Sequence, residues 1–111
     1  MECLFCAITR GDIPAAKLME SDKALAFNDI NPQAPVHILI IPKSHYENIA
    51  ELSSQEPETV SELFKMAHQL SLDNALEGYR TIFNTGAAAG QSVFHAHLHL
   101  LGGRALQWPP G

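Results

Sequence analysis

Three histidines recur at every second position near the end of the chain, as His95, His97 and His99 in the stretch HAHLH. Apolar residues flank the stretch on both sides, which is typical of a β-strand. Side chains at positions i, i+2 and i+4 of a strand project from one face, so the three imidazoles are predicted to share a surface. Imidazole near neutral pH can be a nucleophile, a proton carrier or a metal ligand. The spacing therefore predicts a chemical site rather than structural histidines on a sheet face.

Two kinds of chemistry fit this row of histidines, and the spacing alone does not separate them. Histidines two residues apart on a strand can converge on zinc, which binds imidazole nitrogen. Alternatively, one histidine attacks phosphorus while its neighbours align the substrate and donate hydrogen bonds.

A loop of small residues, TGAAAGQ at residues 85–91, comes directly before the histidines. Glycine and alanine let backbone N–H groups approach a ligand closely, and such a loop can hold an anion such as phosphate. Most loops of this composition are ordinary turns, but the position of this one favours anion binding. Asn84, Gln91 and Ser92 are predicted to add side-chain hydrogen-bond donors beside it.

Cys3 and Cys6 form a Cys-x-x-Cys pair, a spacing found in metal sites. A closed zinc site needs four ligands, and His45 and His95 are the candidates to complete it. A redox pair would lie between a strand and a helix, for which the flanking sequence gives little support. Two reduced thiols without a metal are the alternative.

Hydrophobic periodicity predicts the elements that position these groups. A helix is predicted over about 55–77, with Ser53 or Ser54 as its N-cap, Pro57 in its first turn and Gly78 at its end. Together with short strands this predicts an α+β fold, an antiparallel sheet with helical cover. The five predicted strands span 17–21, 24–28, 36–41, 79–84 and 92–101.

Composition limits the class of protein. The 111 residues, 46% of them hydrophobic, suffice for one domain over residues 1–111 with a modest core. A net charge of -5 argues against general nucleic-acid binding. The sequence has neither an apolar run long enough for a membrane span nor a secretory signal, so a cytoplasmic protein with reduced cysteines is expected.

Residues 90–103 resemble the signature of the histidine-triad (HIT) family, in which apolar residues alternate with three histidines. Residues 27–37 resemble the family's nucleoside-binding loop and following strand. Gly102-Gly103-Arg104 and the final WPPG resemble the Hint branch, the nucleoside phosphoramidases. The resemblance covers almost the whole chain. It implies a five-stranded antiparallel sheet with one long helix and a short N-terminal helix.

The resemblance implies a reaction at the α-phosphorus of a purine nucleoside phosphoramidate, of the adenosine 5'-monophosphoramidase type. His97 is implied to attack phosphorus and form a nucleotidyl-histidine, while His99 donates to a non-bridging phosphate oxygen. Ser92 and Gln91 are implied near the leaving group, and backbone N–H groups at Gly90 in the phosphate cradle. The alternatives are a dinucleoside polyphosphate hydrolase, a nucleotide-binding adaptor with little turnover, and a zinc hydrolase that uses the triad as ligands.

The nucleoside itself is implied to bind through residues earlier in the chain. Asp29 is implied to accept both ribose hydroxyls, although on its own it would be interpreted as a turn residue. Phe5, Phe27 and Ile30 are implied to form an apolar slot for the base, a role that otherwise belongs to core residues. His37, a polar residue within the apolar strand VHILII, is expected to hydrogen-bond within the site.

Many bacterial members of the family hold structural zinc between two cysteines, a histidine and the first triad histidine. The resemblance therefore implies that Cys3, Cys6, His45 and His95 bind structural zinc, which would remove His95 from direct chemistry. Catalysis would then require no metal. The resemblance also implies a homodimer that extends the sheet, with the long helix and the strand at 79–84 at its interface.

Overall fold

The computed structural model describes residues 3–111 and has α+β architecture. Its five strands form one antiparallel sheet in the order β1-β2-β3-β5-β4, which confirms the predicted fold class. No helix of residues 3–111 is long and apolar enough to cross a membrane. In chain order the elements are α1 (Leu4–Arg10), β1 (Lys17–Glu20), β2 (Ala24–Asn28), β3 (Val36–Pro42), α2 (Ile49–Gln55), α3 (Pro57–Asp73), β4 (Tyr79–Ile82), a 3₁₀ turn (Ala87–Ala89) and β5 (Leu98–Gly102).

The sheet separates two apolar layers. On one face, Leu98 and Leu100 of β5 pack with residues of α2 and α3, among them Leu63. On the other face, side chains of β2 and β3 pack against α1, including Phe5 and Leu39. Because side chains alternate along a strand, His99, between Leu98 and Leu100 of β5, points to the α1 side.

Strand β3 lies at the centre of the sheet, between β2 and β5, and six of its seven residues are buried. A strand that is covered on both faces has a nearly continuous apolar sequence, as VHILII does. His37 is the buried exception. Leu39 pairs with His99 in the β3–β5 register, so His37, two residues earlier, lies diagonally beside His99 on the same face.

The long helix predicted over about 55–77 is confirmed as α3, but the shorter helix α2, which precedes it over Ile49–Gln55, is not predicted from the sequence. The chain departs from helical geometry at Glu56, with φ -142° and ψ 63°, directly before Pro57. Proline disfavours helical backbone in the residue before it and is well suited to the first turn of a helix. Pro57 therefore begins α3 as predicted, but it also separates α3 from α2.

The predicted helix boundaries also need correction. Asn48 caps α2, because its Oδ1 accepts a hydrogen bond from the N–H of Glu51 at 2.9 Å. Ser53 and Ser54 lie inside α2 and cap neither helix. Helix α3 ends at Asp73, and the turn that follows separates it from Gly78.

The strand predicted over 92–101 begins only at Leu98. His95 and His97 precede it in an extended stretch, where the N–H of Ala96 donates to the carbonyl of Tyr46 at 2.8 Å. The ring of Phe5 contacts both histidines, with centroids 5.9 Å from His95 and 5.1 Å from His97. The prediction that the triad occupies one face is therefore confirmed, although only His99 lies in the regular strand.

Candidate active site

A cleft of about 690 Å³ opens on the α1 side of the sheet. One wall is apolar, because Phe5 and Phe27 pack edge to face with centroids 5.7 Å apart. Ile30 stands fully exposed at the mouth. The structure brings seven of the predicted nucleotide-binding residues to this cleft: Phe5, Phe27, Asp29, Ile30, Ser92, His97 and His99.

His97 is held in one protonation state by the backbone. Its Nδ1 lies 2.8 Å from the carbonyl oxygen of His95. A carbonyl only accepts, so Nδ1 carries the ring proton and Nε2 keeps its lone pair. Burial lowers the pKa of His97, so the ring is neutral at neutral pH. A neutral imidazole with a free nitrogen at a cleft has the electronic state of a nucleophile.

His99 is held in the opposite tautomer through a relay of two hydrogen bonds. The N–H of Gln33 donates to Nδ1 of His37 at 3.0 Å, so the proton of His37 must be on Nε2. That Nε2–H donates to Nδ1 of His99 at 2.9 Å. The proton of His99 is therefore on Nε2, a buried atom without a hydrogen-bond partner among residues 3–111. A buried N–H of this kind is suited to donate to a ligand oxygen.

Burial keeps the rings of His37 and His99 neutral. Desolvation, with smaller effects of His97 and His37, lowers the pKa of His99 to about 4. Desolvation also lowers the pKa of His37, against the opposing effect of the Asp29 carboxylate 3.4 Å away. At pH 7 both rings are therefore neutral, as the two hydrogen bonds of the relay require.

His95 belongs to a different site. It is fully buried, and its Nε2 lies 2.8 Å from the carbonyl oxygen of Pro42, so its proton is on Nε2. Its Nδ1 lone pair faces Cys3 Sγ at 3.4 Å, Cys6 Sγ at 3.6 Å and His45 Nδ1 at 3.2 Å. Both nitrogens are thus engaged away from the cleft, which favours the predicted part of His95 in a metal site over a direct part in catalysis.

His95 and the three groups around it fit the ligand geometry of zinc. Tetrahedral zinc with bonds of about 2.3 Å to sulfur and 2.0–2.1 Å to nitrogen places those ligands roughly 3.5 Å apart. Cys6 Sγ and His45 Nδ1 are 3.3 Å apart, so the donor atoms converge on one point. A ligating histidine usually donates its other N–H to a carbonyl, as His95 does to Pro42.

Asp29, His37 and His99 also bring three potential metal ligands within 4.8 Å of one another. Here the atoms are committed to hydrogen bonds, because Nε2 of His37 carries the proton that Nδ1 of His99 accepts. A protonated nitrogen cannot ligate a metal. This group is therefore a relay, whereas Nδ1 of His95 carries no proton and faces the two cysteine sulfurs.

Asp29 both stabilises a turn and lines the cleft, so the structure is compatible with its interpretation as a turn residue and with its implied contact to ribose. Its Oδ1 accepts the N–H of Asn31 at 2.8 Å, which is an Asx turn. The carboxylate nevertheless lines the cleft, and each oxygen retains a lone pair for a further donor.

The predicted role of Gln91 near the leaving group is corrected, because its buried amide is occupied by the backbone. Its Oε1 accepts from the N–H of Gly86 at 2.8 Å. Its Nε2 donates to the carbonyls of Glu47 at 2.7 Å and Val93 at 3.1 Å. Gln91 therefore fastens three backbone segments together.

The predicted phosphate cradle at Gly90 is corrected for a similar reason. The N–H groups of Ala89 and Gln91 donate to the carbonyl of Gly86, and that of Gly90 donates to Ala87. Gly90 is required for its φ of +98° and not for room, since a Cβ there would lie no closer than 3.9 Å to its nearest neighbour, Asn84 Nδ2. The stretch at Ser92 and Val93 lines the cleft instead.

Sequence reasoning missed the backbone groups that set the tautomers. The carbonyls of Pro42 and His95 and the N–H of Gln33 are defined by the path of the chain. Residue type carries no signal for them. Of these groups, only the N–H of Gln33 is indicated by the sequence, and only indirectly. It bonds the buried His37, which is expected from the sequence to hydrogen-bond within the site.

The chain is similar along most of its length to HIT-domain proteins, and a sequence model of the HIT domain matches residues 10–106. An uncharacterized HIT-like protein of Synechococcus elongatus is 47% identical over 99% of this chain and 97% of its own length. A 14 kDa zinc-binding protein of Zea mays is 44% identical over 97% of this chain and 87% of its own length. The crystal structure of a HIT family hydrolase from Legionella pneumophila matches with a TM-score of 0.94 and 46% identity, covering 99% of this chain and 100% of that one.

The depressed pKa of His99 is expected to make the fold acid-sensitive. The pKa of His99 is about 4 in the folded protein, against a reference value of 6.5. His99 is therefore protonated at a higher pH in the unfolded chain than in the folded protein. The free energy of unfolding therefore falls as the pH drops from about 6.5 toward 4, with His99 contributing about 1–2 kcal/mol of the loss at pH 5. Thermal melts from pH 7 to pH 5 should show a shallower loss in His99→Gln than in the wild type. Equal losses in both would contradict this explanation.

Proposed function

Because this chain belongs to the HIT domain family, we propose that it is a nucleotide hydrolase or transferase acting at the α-phosphorus of purine nucleoside phosphoramidates. The observation that carries the proposal is the pairing of opposite tautomers at one cleft. His97 offers a lone pair on Nε2, and His99 offers a proton on Nε2. The similarity to the Legionella pneumophila protein, a HIT family hydrolase, supports the class of reaction.

The nucleoside would occupy the apolar part of the cleft. The edge-to-face pair of Phe5 and Phe27 forms a wall for a flat base, and Ile30 at the mouth is free to cover it. The carboxylate of Asp29 has lone pairs for the ribose hydroxyls, a charge-assisted contact. These contacts would bring the α-phosphate to the two histidines.

In the first chemical step, Nε2 of His97 forms a bond to phosphorus as the phosphorus–nitrogen bond to the amine breaks. The departing nitrogen takes up a proton, relayed from solvent through the exposed Ser92 hydroxyl at the cleft, and leaves as a neutral amine. The ring of His97 becomes positively charged, which strengthens its hydrogen bond to the His95 carbonyl. His99 donates to a non-bridging oxygen. Water then hydrolyses the nucleotidyl-histidine and restores His97. The water that cleaves the intermediate in this second step returns a proton to solvent.

The alternatives differ in what they require of the same residues. A dinucleoside polyphosphate hydrolase would use the same attack with a phosphate leaving group, so substrate comparison separates the two. A nucleotide-binding adaptor would need no free nucleophile. A zinc hydrolase with triad ligands would need three converging lone pairs, whereas His97 and His99 present one lone pair and one proton to the cleft.

Removal of the nucleophile tests the proposed reaction. His97→Ala is expected to lower kcat/KM for adenosine phosphoramidate by roughly three orders of magnitude or more, because no other group can form the covalent intermediate. The exposed His68 on α3 provides a matched control, and His68→Ala should retain full activity. Mass spectrometry at neutral pH should detect a nucleotidyl adduct in the wild type and in His68→Ala but not in His97→Ala. Full activity of His97→Ala would exclude the covalent mechanism.

The second part of the proposal is structural zinc bound by Cys3, Cys6, His45 and His95. The converging donor atoms and the zinc-binding protein of Zea mays support it. Zinc there would tie the start of α1 to the loop after β3 and the stretch before β5, and it supplies no chemistry at the cleft. A cytoplasmic location is part of this proposal, since zinc binding requires reduced cysteines.

Metal removal is expected to destabilise the protein without acting on the reaction itself. Elemental analysis should find one zinc per chain, and chelation should lower Tm by roughly 10 °C because binding to the folded state is lost. Cys6→Ser should melt near the chelated wild type and respond little to chelator. Turnover measured well below Tm should persist after chelation. A metal-free protein with a chelator-insensitive Tm would refute structural zinc, and lost turnover at an unchanged Tm would indicate a catalytic metal.

The third part of the proposal is a homodimer that pairs at β4. This edge of the sheet is close to α3, because the ring of Phe64 lies 6.1 Å from that of Phe83, the residue after β4. Phe64 is 43% exposed, and Leu72 on the same helix is 60% exposed. The opposite edge, β1, carries the ion pair of Lys17 with Glu20 and an irregular register. Charges and bulges of that kind prevent strands from pairing edge to edge.

Two substitutions at side chains of equal exposure test the choice of edge. Phe64→Glu on α3 should give a monomer in analytical ultracentrifugation, because a charge would be buried at the interface. Leu18→Glu in β1, at a side chain that is 42% exposed against 43% for Phe64, should leave the dimer intact. A monomeric wild type, or a Phe64→Glu protein that remains dimeric, would rule out this interface.

A further inference from the structure

The turn after β5, Gly102-Gly103-Arg104, packs against the loop that precedes β3. Gly103 has a φ of +91°, and a Cβ there would lie 2.9 Å from Cβ of Pro35 and 3.4 Å from the backbone nitrogen of Val36. Both the backbone conformation and the close approach therefore require glycine at this position. The residues of this turn do not line the cleft. The turn can therefore affect the cleft only through the loop that precedes β3.

Arg104 holds this loop by a single hydrogen bond across 71 residues of sequence. Its Nη2 donates to the carbonyl of Gln33 at 3.0 Å, while Nη1 donates to the neighbouring Ala105 carbonyl. The side chain of Gln33 donates in turn to the carbonyl of Asn31 at 3.0 Å. The N–H and the carbonyl of Gln33 belong to successive planar peptides that join at its Cα, and Pro32 restricts the backbone before it. Fixing the carbonyl of Gln33 therefore limits the direction of its N–H.

That N–H is the first donor of the relay to the cleft. It donates to Nδ1 of His37, whose Nε2–H donates to Nδ1 of His99. If the N–H of Gln33 turned away, Nδ1 of His37 could carry the proton and Nε2 would become an acceptor. His99 would then donate from Nδ1 and turn a lone pair on Nε2 toward the phosphate oxygen, which repels it.

We propose that Arg104 is a positioning residue that holds Gln33 so that His37 and His99 keep the tautomers needed at the cleft. The importance of the His99 tautomer for turnover rests on the function proposed above. The tautomer itself is a property of the free protein, so it can be measured without substrate.

Arg80 provides a matched control for Arg104. Its Nη2 donates to the carbonyl of Gln107 at 3.0 Å, so it also fastens the C-terminal segment, but it makes no contact with the loop before β3. Arg104→Met and Arg80→Met remove the same charge and similar side chains. Only Arg104→Met should disturb the relay.

The test is the ring ¹⁵N chemical shifts of His37 and His99 in the substrate-free protein at pH 7. In the wild type and in Arg80→Met, His99 should be protonated at Nε2 alone. In Arg104→Met, the shifts of both rings should move toward the opposite tautomer. Wild-type shifts for both rings in Arg104→Met would overturn the proposal, as would equal changes in the two variants.

Turnover gives a second, separable readout. Arg104→Met should lower kcat for adenosine phosphoramidate about fivefold, the effect of losing one hydrogen bond, while KM stays within about twofold. Arg80→Met should match the wild type in both. Tautomer shifts in Arg104→Met with no turnover in the wild type would support the positioning role and refute the proposed function. An unchanged kcat beside shifted tautomers would overturn the link from Arg104 to catalysis.

Discussion

A neutral imidazole has two nitrogens and one proton, and the geometry of the site depends on which nitrogen carries that proton. In this protein, hydrogen bonds to backbone groups determine which nitrogen carries the proton. A carbonyl places the proton of His97 on Nδ1 and that of His95 on Nε2, while a backbone N–H acts through His37 on His99. Three identical side chains on one face thereby become a lone pair at the cleft, a proton at the cleft and a lone pair directed at the two cysteines behind it.

The second requirement is that the rings stay neutral, and the core provides it. Rings of His97 and His99 lie 4.9 Å apart, so two positive charges there would repel each other strongly. Burial between the sheet and α1 lowers the pKa of both rings, most clearly for His99. The apolar residues of β3 and α1 thus support the proposed reaction, because a more hydrated sheet face would allow protonation of His97 and remove the free lone pair on its Nε2.

Much of this arrangement could be predicted from residue types, because period-two alternation is a local property. The strand pattern placed the triad on one face, and Cys3 with Cys6 and His45 indicated a second group of ligands around His95. The predictions that failed concern groups whose hydrogen-bond partners depend on the path of the folded chain. In the small-residue loop at 85–91, carbonyls of the loop itself accept its N–H groups. The side-chain amide of Gln91 donates to the carbonyl of Glu47, which is distant in sequence. Similarly, helix α2 is not predicted, because a helix of seven residues is too short to give a clear apolar period.

The central claim is the assignment of protons to the ring nitrogens, and neutron diffraction from crystals at neutral pH tests it most directly. We expect one hydrogen on each ring, at Nδ1 of His97 and at Nε2 of both His95 and His99. A hydrogen on Nδ1 of His99, or on both nitrogens of His97, would contradict the assignment. In either case the cleft would lack the paired donor and nucleophile on which the proposed reaction depends.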